Sequence, residues 1–225
     1  MYIDEQSASM YILQLPPSIS YIQSACECVN NSLEVSPEEI KQIDQQTVDQ
    51  SLSDKWHAVR RHRLTDSVFH SVICRREKTD PEAPLKSLLY NKIKSTAAMQ
   101  FGIHEEDNSS ERFTTAMRDK GSEATMTKRG FVIDSAKNYL GASVDRVATI
   151  SREEFIVEFK NSISTWEFDL ITTARKLPCL TIDENDKICL NQRHSYYTQI
   201  QGQMAILKIH QCYCYCVVYK NGDLY

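Results

Sequence analysis

Glu158 and Lys160 stand two positions apart in the run Ile156-Val157-Glu158-Phe159-Lys160, whose β-branched and aromatic residues are those of a buried strand. Side chains alternate across a strand, so both charges project from one side. Asp145 comes thirteen residues before Glu158, just after the turn-prone Gly141-Ala142-Ser143, a separation that a hairpin can close to bring the two acids together. Two carboxylates on neighbouring strands can hold a hard divalent cation, and a lysine beside them can orient or deprotonate a water. That is the chemistry of metal-assisted phosphodiester hydrolysis. The same spacing also suits an ion pair on an edge strand, so the surrounding elements have to decide.

Those elements begin at Ser36-Pro37-Glu38-Glu39, a helix start with serine at the cap, proline in the first turn and glutamate at the third position. Ser53 opens a second helix through Trp56 and Arg60. Thr65-Asp66-Ser67 reads as the cap of a third, in which Val68, Phe69, Val72 and Ile73 form an apolar stripe at helical spacing. With that stripe facing the core, Arg60, Ser67, Arg75 and Arg76 are left to converge on the other side, where a hydroxyl and guanidinium groups suit a phosphate. Residues 54 to 78 carry seven basic against three acidic side chains, a local excess on a chain of net charge −4.

Helical patterns follow at 85–94 and from Thr96 to about Met117. In the latter, Glu106 lies seven residues before Phe113 and so shares its face, from which a glutamate can reach a site at the rim. His104 reads as an exposed helix residue. Residues 124–134 read as a strand, 135–138 as a turn, 139–142 as the strand leading to Asp145, 164–176 as a helix and 180–190 as a hairpin. His194 to Ile209 is a strong helix containing Tyr197, Gln199, Gln201 and Gln203, and Cys212 to Tyr219 is the closing strand before a turn at Asn221-Gly222.

At 225 residues the chain suits one domain of ordinary size, residues 35–225, preceded by an extension of residues 1–34 in which short helices at most are expected. Its eight cysteines form no CxxC pair, and Cys212, Cys214 and Cys216 alternate with tyrosines as small apolar residues on one strand face. The acidic start MYIDEQSASMYILQLPP has no basic segment followed by an apolar one, and no apolar run reaches membrane-spanning length, so a soluble intracellular protein with no membrane partner is expected.

Several ordered motifs occur between about Glu38 and Tyr219: Gln50-Ser51 to Trp56 and Arg60; Arg63-Leu64-Thr65-Asp66-Ser67 followed by Cys74-Arg75-Arg76; Lys86-Ser87-Leu88-Leu89-Tyr90; and Phe101-Gly102 with Glu106. Gly141 to Asp145, Val157 to Lys160 and Tyr196-Tyr197-Thr198-Gln199-Ile200-Gln201-Gly202-Gln203-Met204 complete the set. In this order and spacing they resemble the YqaJ-type viral recombinases, relatives of the phage lambda exonuclease within the PD-(D/E)XK nuclease superfamily. The resemblance implies an α/β (α+β) fold, a mixed central sheet flanked by helices. It implies Mg²⁺-dependent, or Mn²⁺-supported, 5′-to-3′ degradation of one strand of duplex DNA in recombination or end processing.

By the same resemblance, Asp145, Glu158 and the backbone carbonyl of Phe159 would bind metal, Lys160 would position the attacking water, Glu106 would assist the metal and Gln199 would brace the site. Arg60, Ser67 and either Arg75 or Arg76 would form the pocket for a DNA 5′-phosphate. Double-stranded DNA ends and a strand-annealing protein are the implied partners, and some members form homotrimers.

The chain departs from the family where Ser143-Val144-Asp145-Arg146 replaces Ser-Pro-Asp-Gly, where Asn161-Ser162 replaces Cys-Pro, and at Ser109, read as a helix cap where a small apolar residue is common. Arg146 either adds a phosphate contact or pairs with Asp145 and competes with metal. These changes leave room for a nuclease-fold module that binds DNA ends without cutting, and a sequence-specific endonuclease of the same superfamily is a third reading.

Overall fold

A computed structural model describes residues 19–82, 85–86, 95–165 and 167–217. The chain divides into two compact units between Glu34 and Val35. The first contains α1, Ile19–Ser32, a single helix of 14 residues rather than the short helices expected there. Among the described residues no helix is long and apolar enough to cross a membrane.

The second unit opens with α2, Pro37–Gln46, started as its sequence dictates: Ser36 Oγ accepts the Glu39 N–H while the Glu39 carboxylate accepts the Ser36 N–H. A 3₁₀ turn, Gln50–Leu52, precedes α3, Asp54–Arg60, whose cap is Ser53. Then come β1 (Leu64–Thr65), a 3₁₀ turn (Asp66–Val68) and α4 (Phe69–Ile73). The long helix α5, Ala97–Asp119, is capped by Thr96. Strands β2 (Ala124–Thr127), β3 (Phe131–Ile133), β4 (Leu140–Ser143), β5 (Arg146–Ile150) and β6 (Glu153–Asn161) follow. The unit ends with α6 (Leu170–Lys176), β7 (Leu180–Ile182), β8 (Ile188–Leu190), α7 (Ser195–Leu207) and β9 (Cys212–Val217).

The mixed sheet is built in two parts. One has the order β1-β4-β3 and the other β2-β5-β6-β9, with β7 and β8 as a separate hairpin. Only Val144 and Asp145 separate β4 from β5, so one extended stretch leaves the first sheet and enters the second at Asp145. The β5–β6 hairpin runs from Arg146 opposite Val157 to Ile150 opposite Glu153, closed by Ser151 and Arg152 at φ 51° and 71°. Positive φ at both central residues gives the twist that a two-residue hairpin needs. On the far edge β9 runs parallel to β6, setting Cys214 beside Glu158 and Cys216 beside Lys160.

Alternation along β6 sorts the core. Phe155, Val157 and Phe159 pack with Tyr215 beneath Phe113 of α5, whereas Ile156 packs with Val144, Val147 and Ile209. Cys212, Cys214 and Cys216 pack on Cys179, Leu180, Tyr196 and Ile200, the apolar use their alternation predicts. Gln50 ties the two sheets together, its amide donating to the carbonyls of Arg129 (3.1 Å) and Val144 (2.8 Å).

Four local expectations are corrected. The stretch 124–134 breaks into β2 and β3 in different sheets, because Gly130 passes so close to α2 that a Cβ there would lie 2.1 Å from the Asp44 carbonyl oxygen. The helix expected over 164–176 is confined to α6, capped by Asp169, whose carboxylate accepts the Thr172 N–H. The stripe Val68 to Ile73 is not a core stripe: α4 is five residues long and Ile73 is 71% exposed, while Phe69 is the member that packs, against α7 at Gly202. Ser109 is no cap but a buried mid-helix residue whose hydroxyl donates to Asn161 Oδ1 at 2.8 Å, so two departures from the family pattern pair with each other. The helical pattern at 85–94 lies largely, and Val218 onward wholly, outside the described residues.

Candidate active site

β5 begins only at Arg146, opposite Val157, so β6 runs on past the point where the chain turns at Asp145. Glu158 and Phe159 therefore face Asp145 rather than a ladder partner on that edge. Phe159 N–H donates to Asp145 Oδ2 at 2.7 Å, and Asp145 N–H to Glu158 Oε1 at 3.3 Å. A strand residue points its N–H and C=O to the same edge, so the Phe159 carbonyl also faces this gap. Lys160, half-buried, shares the face of Glu158, with Nζ 5.1 Å from the centre of the Tyr196 ring. The structure thus brings Asp145, Glu158, Phe159 and Lys160 together.

Burial pushes Asp145 up to about 6 against the pull of the Phe159 N–H and of the Arg146 and Lys160 cations. Burial, then the neighbouring Asp145 and Asp66 carboxylates, hold Glu158 well above the ordinary carboxylate range. Tyr196 O–H reaches Glu158 Oε2 at 3.5 Å.

Glu106 joins from α5. Burial and the Asp145 charge raise it to about 7, and Arg146 opposes that shift. Arg146, 5% exposed, donates to Glu106 (3.5 Å), to Asp107 (2.5 Å) and to the backbone carbonyl of Asp145 (2.5 Å). Its hydrogen bonds do not follow the second of the two alternatives, a pair with Asp145: the guanidinium grips the α5 acids and the main chain at Asp145, and leaves the Asp145 carboxylate to Phe159.

Two site residues escaped sequence reasoning. Asp66, 2% exposed, does not cap a helix. Its carboxylate accepts from the Ser143 N–H (3.4 Å) and from Gln203 Nε2 (2.9 Å), and it faces the Arg60 cation. Gln203, fully buried on α7, also donates to the Ser143 carbonyl and to Glu158 Oε1, each at 3.0 Å. Its place on the stripe Tyr196, Ile200, Gln203 was the available signal, a polar residue at a core position of a helix. Gln199, half-buried, lies one turn earlier on a neighbouring part of the helix surface.

Arg60 stacks over Trp56, 3.8 Å from the ring centre, and donates to Ser143 Oγ at 3.3 Å. Ser67 is exposed, its hydroxyl 3.1 Å from that of Thr65. Arg60 and Ser67 therefore flank Asp66. Arg75 and Arg76 lie on the exposed segment after α4, where Arg75 donates to the Thr79 carbonyl at 2.6 Å.

The donor set suits a hard cation: carboxylates and a main-chain carbonyl. Acceptors are also in excess here, because the one Gln203 amide nitrogen meets three of them while Gln203 Oε1, buried, has no partner among the described residues. Among those residues no three His, Cys, Asp or Glu side chains already enclose a metal position, and Asp145 and Glu158 are held instead by N–H donors.

A family model described as the YqaJ-like viral recombinase domain matches residues 55–210. Among solved structures, the chain resembles LHK-Exo, an alkaline exonuclease from Laribacter hongkongensis, in complex with dAMP, at 20% identity and a TM-score of 0.52 over 73% of each chain. It also resembles the protein of a SOX–DNA complex, SOX being the shutoff and exonuclease protein of Kaposi's sarcoma-associated herpesvirus. That match has 16% identity and a TM-score of 0.52, covering 79% of this chain and 57% of the other. At such identities the likeness is one of fold. No curated protein matches the chain.

Proposed function

Because the chain belongs to the YqaJ-like viral recombinase domain family, we propose that it is a metal-dependent deoxyribonuclease that degrades duplex DNA from its 5′ ends. The observation that carries this reading is the convergence of Asp145, Glu158, Phe159 and Lys160 where the chain passes between sheets. Asp145, Glu158 and the Phe159 carbonyl hold the divalent cation, Mg²⁺ or Mn²⁺. When bound, that ion supplies positive charge to the scissile phosphate and the departing 3′-oxygen. Lys160 orients the attacking water, and Gln199 braces the site from α7.

Arg146 supplies Glu106 with the positive charge that a second ion would otherwise bring, which favours a single cation. Arg60 and Ser67, joined by Arg75 or Arg76, receive the 5′-phosphate. The complexes of LHK-Exo with dAMP and of SOX with DNA support the choice of substrate. A strand-annealing protein and a homotrimeric ring belong to the same reading. So does the division of the chain into an extension of residues 1–34 and a nuclease domain of residues 35–225.

The test is release of nucleotides from linear duplex DNA in Mg²⁺. Asp145→Ala should lower the rate at least about 100-fold, the loss expected when a group stabilising transition-state charge goes. Undiminished activity in that variant ends the reading. DNA binding without Mn²⁺ binding would identify an end-binding scaffold instead, and cleavage of closed circular DNA an endonuclease.

A further inference from the structure

Asp66 and Gln203 join two places that the proposed reaction uses separately. On one side, Asp66 and Arg60, the guanidinium assigned to the 5′-phosphate, meet on Ser143, whose N–H donates to Asp66 Oδ1 and whose hydroxyl oxygen accepts from Arg60. On the other, Gln203 Nε2 donates to Asp66 Oδ2 at 2.9 Å and to Glu158 Oε1 at 3.0 Å, so these two carboxylate oxygens share one nitrogen. The Ser143 carbonyl closes the group by accepting from Gln203. None of this cluster faces water freely: Asp66, Glu158 and Gln203 are all buried.

The geometry points to Asp66 as a positioning residue that links the end-phosphate pocket to the cation site, acting as a buried negative charge one residue removed from Arg60 that opposes a phosphate there and as a third negative charge that favours a cation at Glu158. A phosphate on Arg60 faces repulsion from Asp66. A divalent cation between Asp145 and Glu158 is attracted by it. The same charge therefore opposes one ligand and favours the other.

This inference rests on the nuclease reading for its ligands, but its test needs no turnover. The variant is Asp66→Asn, which keeps the shape and one of the two acceptor oxygens while removing the charge. At pH 8, above the value of about 6 to which burial raises Asp66, the wild-type carboxylate is ionised. Two dissociation constants are measured on the full chain: that of a 5′-phosphorylated duplex in EDTA, and that of Mn²⁺ alone, by paramagnetic resonance.

A unit charge at contact distances in partly screened surroundings changes such constants by about 5- to 30-fold. Asp66→Asn should tighten the phosphorylated end and weaken Mn²⁺ by amounts in this range. A variant that merely loosens the fold weakens both. Shifts of the same sign, or no shift in either, overturn this role of Asp66.

Asp66→Ser, a smaller neutral side chain, gives a second measurement should Asp66→Asn fail to fold. The phosphorylated duplex in EDTA should again bind more tightly and Mn²⁺ more weakly. Unchanged affinity for both ligands overturns the inference. Retained nuclease activity in Asp145→Ala would instead overturn the reaction assignment and leave these binding shifts as they are measured.

Discussion

Replacing Arg146 with glutamine isolates what ties Glu106 of α5 to Asp145 at the sheet junction. Breaking a buried ion pair by removing one partner costs about 3–5 kcal/mol. Here the figure is smaller for two reasons. The Asp107 side chain is 69% exposed, so its pair with Arg146 adds only about 0–1 kcal/mol. Glu106, already raised to about 7, can take up a proton once its cation is gone. What remains is the lost bond to the Asp145 carbonyl and the uncompensated Glu106, together about 2 kcal/mol.

In EDTA at pH 8, Arg146→Gln should therefore melt roughly 4–8 °C below wild type. Saturating Mg²⁺ supplies positive charge beside Asp145 and Glu106, so the same variant should then fall behind wild type by less than about half that amount. Its Mg²⁺ dissociation constant should be lower, because a ligand stabilises the folded chain in proportion to its binding. Thermal denaturation monitored by circular dichroism across a Mg²⁺ series reads both quantities. An equal deficit with and without Mg²⁺ would refute the view that Arg146 stands in for a second cation.

Other consequences are as direct. Glu106, Asp145 and Asp66 are all raised above their ordinary 3.8 or 4.5, to between about 6 and about 7, so the folded chain holds protons that the unfolded chain releases. Metal-free stability should fall as pH rises from about 5 to about 7, since groups with raised values stabilise only below that range. His194, held below its ordinary value by burial and then by the Lys160 and His70 charges, pulls the other way in this range but is one partly exposed group against three, and Asp107 and Asp169, held low by their contacts, act only below it. Melting in EDTA across this range checks the sign, and stability rising with pH would contradict it.

Gly202→Ala would place a Cβ 2.4 Å from the Phe69 ring and should cost about 1–3 kcal/mol in urea denaturation as α4 is pushed off α7. For the end pocket, Arg60→Gln should remove the preference for 5′-phosphorylated over 5′-hydroxyl ends. Whichever of Arg75→Ala and Arg76→Ala does the same identifies the second guanidinium, and unchanged preference in all three variants would place the phosphate elsewhere.

The parts of this site that could be read from sequence are those fixed by short-range geometry. Glu158 and Lys160 share a face because strand side chains alternate, and Asp145 meets Glu158 because a tight hairpin joins β5 to β6. The helix starts at Ser36, Ser53 and Thr96 were equally plain, since a cap and its partners lie within one turn. Asp66 looked like a cap for the same local reason, yet its partners Ser143 and Gln203 lie 77 and 137 residues away. Val72 and Ile73 misled because helical spacing says nothing about where a helix stops, and α4 ends at Ile73. The destination of Arg146 depended on how α5 crosses the sheet, which no spacing within β5 reveals.

Gln50 changes what the loss of proline before Asp145 means. A ring at that position would limit the backbone locally, whereas Val144 is instead restrained through its carbonyl by an amide 94 positions earlier in the chain. Because the same amide also holds the Arg129 carbonyl, the bend is fixed relative to the entrance of β3. Rigidity at the aspartate is thus exported to a distant loop, and the residues of the bend itself are freed to vary. In this chain, heritable change at Gln50, 95 positions before Asp145 in sequence, should blur the site as effectively as change within the bend.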